Sequence, residues 1–321
     1  MINQGQREIY YSSPISVKEA RSVAAALTNN LSLTSMTLYG NHLGYEGARL
    51  LAAALYNNAT LTRLILHGNT IGAEGARSVS SALVLNATLM CLHIYYNNIG
   101  AEGAHTIAAA LSRNATLTEL GLRGNNIGSE GARSLASALC NNNATLMILC
   151  LDSNNIGAEG ARSLAVALDS KDATLTSLDL SYNNIGSEGA RALAAALENN
   201  ATLTTLDLDN NIVGDEGAHA LTVAMDRNRT LQCLKLDRFD VIEDRLELNR
   251  ILAHTFQPWL DKAWVNGSEL MKQTKLERHF VTEIIFLAYG EELLNSRQYK
   301  WRSPNGRQFA ARFLQSLLLI H

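Results

Sequence analysis

Residues 175–202 read LTSLDLSYNNIGSEGARALAAALENNAT, and this stretch decides the fold because the chain repeats it. An asparagine at the position of Asn183 returns with a step of 28 residues, which lengthens twice to 29. The copies of this asparagine are Asn41, Asn69, Asn97, Asn125, Asn154, Asn183 and Asn211. A motif that recurs at a fixed period indicates a repeat architecture.

Each repeat contains two hydrophobic periods. In residues 175–202, Leu178 and Leu180 alternate with polar residues, which is typical of a strand with one buried face. Leu193 and Leu197 then recur at helical spacing. Gly186 lies between the predicted strand and the predicted helix, where a residue that tolerates positive φ suits a sharp bend. The unit is therefore predicted to be strand, turn, helix and return.

The polar residues of the repeat also have structural interpretations. Glu188 falls in the first turn of the predicted helix, where the helix dipole favours negative charge, and Arg191 can pair with it. The side-chain amide of Asn183 is expected to satisfy backbone groups of the neighbouring turn, because buried amides need partners. Seven such asparagines would form a ladder along the stack.

Stacked copies can bury the leucines that one unit leaves exposed, so the fold class is α/β. We expect a solenoid over residues 33–239, with a parallel sheet on the concave face and helices on the convex face. Residues 1–32 are predicted to be a loose leader followed by a capping half-repeat that has lost its strand. The repeats predict eight strands. Residues 240–321 lose the pattern and are expected to form an all-α C-terminal domain.

The pattern Leu-x-x-Leu-x-Leu-x-x-Asn-x-Ile-Gly-x-Glu-Gly-Ala resembles the leucine-rich repeats of the ribonuclease-inhibitor type, also found in NOD-like receptors. The resemblance covers residues 16–238. Nearly identical repeats followed by an unrelated helical tail are most similar to leucine-rich-repeat effectors that Legionella-type intracellular bacteria inject into host cells. The resemblance implies a virulence protein of the host-cell cytosol that covers a target, commonly the active site of an enzyme.

Composition is that of an ordinary soluble chain, with a net charge of −3 and 47% hydrophobic residues. No apolar run reaches the ~18 residues of a membrane span, and the first residues lack the apolar region of a signal peptide. The spacing of the four cysteines fits neither a zinc site nor a disulfide framework, so we expect free thiols in a reducing cytosol. The recurring Asn-x-Thr tripeptides are expected to carry no glycan.

Catalytic residues are not evident in the sequence. The repeated Gly-x-Glu-Gly-Ala places a carboxylate where a phosphate would be repelled. Cys91 and His93 share one strand face, but no third orienting group is apparent, which favours surface variation over a nucleophile pair. No cysteine follows Cys233, which argues against the bacterial ubiquitin ligases with leucine-rich repeats. We expect no enzyme activity, no cofactor and no metal.

The strand residues between the leucines are expected to face the concave hollow in columns about 4.8 Å apart. The N-terminal part of this surface is predicted to bind with Tyr39, Arg63, His67, His93, Tyr95, Tyr96 and Arg123, residue types enriched in interface hot spots. The C-terminal part contains Asp152, Asp179, Tyr182, Asp207, Asp209 and Asp237. Neighbouring carboxylates there either are the default of the repeat or match a basic partner.

These features predict a non-catalytic scaffold that binds one folded protein with a basic patch, as a monomer or as a heterodimer with its target. Inhibition or sequestration of an enzyme, either a host protein or a companion effector, is the preferred version. The carboxylates argue against nucleic acid. In the alternative, the solenoid selects a substrate for an enzymatic or membrane-targeting module in residues 240–321, where only basic charges follow Glu292.

Overall fold

The solenoid predicted from the repeats is present in the computed structural model, which describes residues 5–140 and 145–236. Strand and helix alternate throughout these residues. Their nine strands form one parallel sheet in chain order, so each repeat pairs with the next. The sheet lines the concave side, and the helices stack on the other side.

The elements are short and regular. The strands are β1 Glu8–Tyr11, β2 Ser35–Leu38, β3 Arg63–Ile65, β4 Cys91–His93, β5 Glu119–Gly121, β6 Ile148–Cys150, β7 Ser177–Asp179, β8 Thr205–Asp207 and β9 Cys233–Lys235. The helices are α1 Val17–Thr28, α2 Gly44–Asn57, α3 Gly72–Leu83, α4 Gly100–Leu111, α5 Gly128–Cys140, α6 Gly157–Leu168, α7 Gly186–Leu197 and α8 Gly214–Met225.

The core lies between the sheet and the helices. The middle residue of each three-residue strand points inward, as Leu92, Leu120 and Leu149 do, and these leucines are fully buried. Each helix adds its alanine and leucine face to the same cluster. Stacking therefore removes from water the apolar surface that a single repeat would expose, which is the main stabilising contribution.

Glycine allows the helices to approach closely along the stack. A Cβ atom at Gly131 would lie 2.9 Å from the Cβ of Ala104 in the preceding helix. Gly186 begins α7 with φ of 63°, which confirms the predicted left-handed bend. The second glycine of Gly-x-Glu-Gly-Ala thus serves helix packing, and the first serves the turn.

Acidic residues occupy the first turn of every helix from α2 to α8, as predicted. The pairing predicted for Glu188 and Arg191 differs in the structure. Arg191 Nη1 lies 3.7 Å from Glu216 of the next helix, and Glu188 lies 3.5 Å from Arg162 of the preceding one. These pairs are exposed, so each contributes little to stability.

The N-terminal residues are more ordered than the sequence suggested. Glu8–Tyr11 is a strand that pairs in parallel with β2, so the prediction of a loose leader and a half-repeat without its strand was wrong. This strand lacks the leucine pattern, which is why the sequence did not reveal it. Ser16 and Glu19 then form a capping box that begins α1.

The predicted asparagine ladder is confirmed. Asn97 Oδ1 accepts from the backbone N–H of Asn69 at 3.0 Å, and Asn97 donates its own N–H to Asn125 Oδ1 at 2.9 Å. The side-chain amide of Asn97 donates to the carbonyl oxygens of Leu66 and Tyr95 at 2.5 and 2.9 Å. The same bonds join the equivalent asparagines from Asn69 to Asn211.

A second set of buried asparagines closes each repeat after its helix. Asn86 Nδ2 donates to Leu55 O at 2.9 Å, and Asn86 Oδ1 accepts from the N–H of Leu89 at 2.8 Å. These are asparagines of the Asn-x-Thr tripeptides, and their described copies are Asn58, Asn86, Asn114, Asn200 and Asn228. Their amide nitrogens are occupied within the fold.

The repeat sheet ends at β9 among the described residues. The helical domain predicted for residues 240–321 lies outside the described residues. Within residues 5–140 and 145–236, no helix combines the length and apolar character that a membrane span requires.

Replacement of Asn97 by Ala tests the ladder. The variant leaves the buried N–H groups of Asn69 and Ile71 and the carbonyl oxygen of Leu66 without these partners, so the free energy of unfolding should fall by about 2–4 kcal/mol. Urea unfolding followed by far-ultraviolet circular dichroism measures the loss.

The matched control is Asn57→Ala, because Asn57 is exposed at the last position of α2. We expect a change within about 0.5 kcal/mol for this control. Equal stability of the two variants would contradict a structural role for the ladder.

Candidate functional site

The face of the sheet opposite the helices, here called the trough, carries the first and third residues of each strand. The register confirms the columns predicted from the sequence. Cys91 pairs with Glu119, and Asp179 pairs with Asp207, on neighbouring strands. Side chains at equivalent positions therefore lie side by side along the trough.

A further column continues just beyond the strands. The N–H of Gly68 donates to Tyr95 O at 2.8 Å, and the N–H of Tyr96 donates to Arg123 O at 2.9 Å. Gly124 donates to Asp152 O in the same way, at 3.0 Å. These bonds fix the residues after each strand as firmly as the strand residues themselves.

Aromatic rings pack against one another across three repeats of the trough. Tyr39 stacks on His67 with ring centroids 4.2 Å apart, and His67 lies 5.2 Å from Tyr96. Beneath them, His93 stacks on Tyr95 at 4.6 Å. The structure thus brings together five of the predicted site residues, which we call the aromatic cluster.

Two glycines of the next repeat make room for these rings. A Cβ atom at Gly121 would lie 2.3 Å from Tyr95 Cε1, and one at Gly124 would lie 2.4 Å from Tyr96 Cδ1. The rings of Tyr95 and Tyr96 therefore lean along the trough onto backbone that carries no side chain. The columns predicted from the sequence place Tyr96 beside Gly124, but they place Gly121 beside His93, so they do not reveal the contact of Tyr95 with Gly121.

Tyr96 has a left-handed backbone, with φ of 54°. Gly40, Gly68 and Gly124 occupy the equivalent position in other repeats, where glycine adopts this conformation at no steric cost. A tyrosine there costs about 1 kcal/mol. Ser153, Tyr182 and Asn210 share this conformation at the equivalent position, so it belongs to the turn of the repeat, and Tyr96 is 42% exposed.

Arg123 joins the aromatic cluster to the carboxylates. Its guanidinium lies over the ring of Tyr96, with Cζ 5.5 Å from the centroid. Its Nε lies 2.6 Å from Tyr96 Oη and 2.9 Å from Asp152 Oδ2. This arginine fixes the orientation of both neighbours.

An open pocket of about 550 Å³ lies where the aromatic cluster meets the carboxylates. It is lined by Tyr39, His67, Tyr95, Tyr96, Arg123, Cys150, Asp152 and Asp179. Rings form one wall, and charged groups form the other. Such a pocket suits a ligand group with an apolar stem and a polar or charged end.

The acidic end of the trough is partly neutralised within the chain. Asp152 is only 4% exposed and pairs with Arg123, and Asp207 Oδ2 lies 2.6 Å from Lys235 Nζ. Asp179 Oδ1 accepts from the N–H and the hydroxyl of Ser181 at 3.0 and 2.8 Å. The sequence placed these residues in adjacent columns but could not show which of them pair.

The other predicted site residues lie in less prominent places. Tyr182 is exposed, with φ of 55°, and does not line the pocket. Arg63 Nη1 lies 3.5 Å from Glu119 Oε2, and Asp209 donates its N–H to Asp207 Oδ1 at 3.1 Å. Asp237 lies outside the described residues. Their role as a binding surface stays a prediction.

Cys91 and His93 are not surface variation, contrary to the sequence analysis. Both are buried, and His93 is 7% exposed beneath the ring of Tyr95. Glu119 supplies the third group that the sequence did not reveal, with Oε1 2.7 Å from His93 Nε2. The cause of the omission is register, since Glu119 is 26 residues away from His93 but on the adjacent strand.

Burial changes the protonation of several groups around the pocket. Burial raises the pKa of Asp152 to about 6, and the negative charge of Asp179 adds to this increase while Arg123 opposes it. Burial raises the pKa of Cys91 to about 12, and Glu119 acts in the same direction. Burial lowers the pKa of His67, helped by the positive charge of Arg123.

Six segments of the chain match the leucine-rich repeat family model, at residues 57–80, 85–108, 113–136, 142–165, 171–194 and 199–221. With the observed alternation of strands and helices, this match shows that the chain is a leucine-rich-repeat protein. Leucine-rich repeats are solenoids whose concave face is generally used to bind other proteins rather than to catalyse a reaction. No curated protein matches the chain in sequence.

Solved structures with a similar fold include the leucine-rich repeat-containing protein LegL7 from Legionella pneumophila, which is 22% identical, with a TM-score of 0.49, and matches over 78% of this chain and 92% of that one. The actin-binding site 2 of leiomodin-1 is 18% identical, with a TM-score of 0.41. The match covers 59% of this chain and 95% of that one. The complex of Rad7 and Elc1 in yeast contains a chain that is 16% identical, with a TM-score of 0.45. The match covers 73% of this chain and 64% of that one. Similarity at this level does not indicate what this chain binds.

Replacement of Asp152 by Asn tests the electrostatics of the pocket. Because the folded pKa of about 6 exceeds the ordinary 3.8, the stabilising effect of the protonated carboxyl is complete below about pH 4 and is lost as the pH rises through 6. Between pH 4 and pH 6, the free energy of unfolding of the wild type should therefore fall by about 1–2 kcal/mol relative to that of Asp152→Asn, after solvent screening is allowed for.

Urea midpoints measured from pH 4 to pH 7 give the comparison. Asp172→Asn is the control, because Asp172 is exposed. A difference between the wild type and Asp152→Asn that does not change with pH would rule out the raised pKa.

Proposed function

We propose that this protein is a non-catalytic interaction scaffold that binds one folded protein in the trough. The leucine-rich-repeat fold supports an interaction scaffold as a class. The observation that carries the proposal is the pocket between the aromatic cluster and Asp179. Exposed rings and charged groups converge at this pocket.

The rings of the aromatic cluster suit a binding hot spot. Tyr39 is 46% exposed and Tyr96 is 42% exposed, although both contact other rings or Arg123. Rings that are already fixed lose little conformational entropy when a partner covers them. Tyrosine and arginine are also the residue types that contribute most when an interface is buried.

The charge of the trough favours a basic partner. Its described side chains from β5 to β9 hold three more carboxylates than cations, namely Glu119, Asp152, Asp179, Asp207 and Asp209 against Arg123 and Lys235. Both hydrogen bonds to Asp179 end on Oδ1, so Oδ2 is left to receive a cation from the partner. A lysine or arginine could lay its stem on Tyr96 and its charge beside Asp179.

The geometry of Cys91, His93 and Glu119 does not match a nucleophile triad. In such a triad, one imidazole nitrogen faces the nucleophile and the other faces the carboxylate. Here, the same Nε2 lies 3.6 Å from Cys91 Sγ and 2.7 Å from Glu119 Oε1. The raised pKa of Cys91 also keeps the thiol protonated. This arrangement supports the non-catalytic proposal.

The finer proposal is a secreted bacterial effector that acts in the reducing cytosol of a host cell. There it would inhibit or sequester an enzyme, either a host protein or a companion effector, by covering its basic surface. The support is the resemblance of the repeats to those effectors and to ribonuclease-inhibitor-like solenoids, together with the open trough. In the alternative, residues 240–321 form an enzymatic or membrane-targeting module. These residues lie outside the part of the chain that the structure describes.

The test compares partner capture by three forms of the full chain. The trough variant combines Tyr39→Ala, Tyr96→Ala and Asp179→Asn. The control variant combines Tyr45→Ala and Tyr56→Ala, whose rings are 56% and 57% exposed on helix α2. Each form captures proteins from bacterial and eukaryotic lysates, mass spectrometry identifies them, and affinity is then measured with the purified candidate.

We expect a protein that binds the wild type and the control equally and binds the trough variant about 30-fold or more weakly. Association should also slow as salt is raised, because the acidic end steers a basic partner. The proposal fails if the trough variant keeps full affinity or if no protein binds the wild type specifically.

A further inference from the structure

Three metal-ligating side chains converge on one point of the trough, between β4 and β5. They are the Cys91 thiol and the His93 imidazole on β4 and the Glu119 carboxylate on β5. One ligand atom of each lies within 4.8 Å of the other two. Two neighbouring repeats therefore contribute to one cluster.

The spacing of the atoms is close to that of a tetrahedral zinc site. Zinc bonds of about 2.3 Å to sulfur and 2.0–2.1 Å to nitrogen at the tetrahedral angle separate the two ligand atoms by about 3.5 Å. The observed separation of Cys91 Sγ and His93 Nε2 is 3.6 Å. Glu119 Oε1 lies 2.7 Å from Nε2 and would need to move out by about 0.7 Å.

Glu119 is free to make that movement. Its side chain is 25% exposed, whereas Cys91 and His93 are buried and held by β4. Arg63 Nη1 lies 3.5 Å from the other carboxylate oxygen, Oε2, so Oε1 alone is directed at the cluster. An outer contact of this kind orients a metal ligand.

His93 Nε2 lies 3.6 Å from Cys91 Sγ and 2.7 Å from Glu119 Oε1, so one ring nitrogen is close to both of the other groups. A metal ion at the centre of the three groups would accept a lone pair from each. Sulfur, nitrogen and oxygen together favour Zn²⁺ over Mg²⁺ or Ca²⁺, which prefer oxygen alone.

We propose that Cys91 Sγ, His93 Nε2 and Glu119 Oε1 bind a zinc ion in the trough. Binding displaces the thiol proton to solvent, and the fourth position is open to water or to a side chain of a partner. The ion joins two adjacent repeats beside the aromatic cluster. The site does not depend on the proposed function, because it needs only the chain itself.

Cobalt(II) is the probe, because it takes the place of zinc in such sites and its absorption reports a thiolate ligand directly. The full chain, prepared without a polyhistidine tag and under reducing conditions, is titrated with Co²⁺ and then with Zn²⁺. We expect a thiolate-to-cobalt charge-transfer band that saturates at one ion per chain and disappears as Zn²⁺ displaces the cobalt. Absence of this band in the wild type overturns the proposal.

Variants assign the ligands. Cys91→Ser should abolish the charge-transfer band, and Glu119→Gln should weaken Co²⁺ binding by at least ~10-fold. Cys233→Ser is the matched control, because Cys233 occupies the same column on β9, and it should bind like the wild type. A band that persists in Cys91→Ser, or that is lost equally in Cys233→Ser, contradicts the assignment.

Folding is checked separately by far-ultraviolet circular dichroism. Zn²⁺ should raise the melting temperature of the wild type but not that of Glu119→Gln, since an ion that binds only the folded state stabilises it. Glu119 is partly exposed, so this variant decides the matter if Cys91→Ser does not fold. Equal stabilisation of the wild type and Glu119→Gln would exclude the site.

Discussion

The hydrogen bond from the backbone of one repeat to the asparagine side chain of the next is the constraint on which the structure depends. A turn between strand and helix leaves backbone groups that no strand can pair, and these groups are buried here. Asn125 satisfies several of them at once, because its Oδ1 accepts from Asn97 and its amide donates to Ile94 and Leu122. Leucine burial drives the stacking, but the amides fix its register. At the N-terminal end the chain of bonds stops, and Asn41 Oδ1 has no partner among the described residues.

A backbone fixed in this way leaves the trough positions free to vary. The side chains there contribute little to the core, so their identity can serve binding. Tyr95 and Tyr96 fill space that Gly121 and Gly124 leave open, and Arg123 then connects the rings to Asp152. The trough is therefore a continuous arrangement of interacting side chains rather than a row of independent ones.

The sequence alone predicted most of the fold, because a 28-residue period specifies strand, turn and helix in every copy. It missed β1, whose residues Glu8–Tyr11 lack the leucines of the repeat and pair only because β2 offers an edge. The sequence also predicted the columns of the trough. It could not predict pairing within them, since the Asp152–Arg123 and His93–Glu119 contacts depend on side-chain rotamers and burial. Asp152 and His93 look exposed by column position and are buried by their neighbours.

The bonds between successive ladder asparagines have a consequence for how such a chain can change in length. Asn69 contacts Asn97 as Asn97 contacts Asn125, so any repeat meets the same donors and acceptors on both sides. Recombination between two copies would add or remove a whole rung and still produce matching ends. Duplication or loss of units can thus lengthen or shorten the trough, while point substitutions in the columns change the side chains that the trough presents.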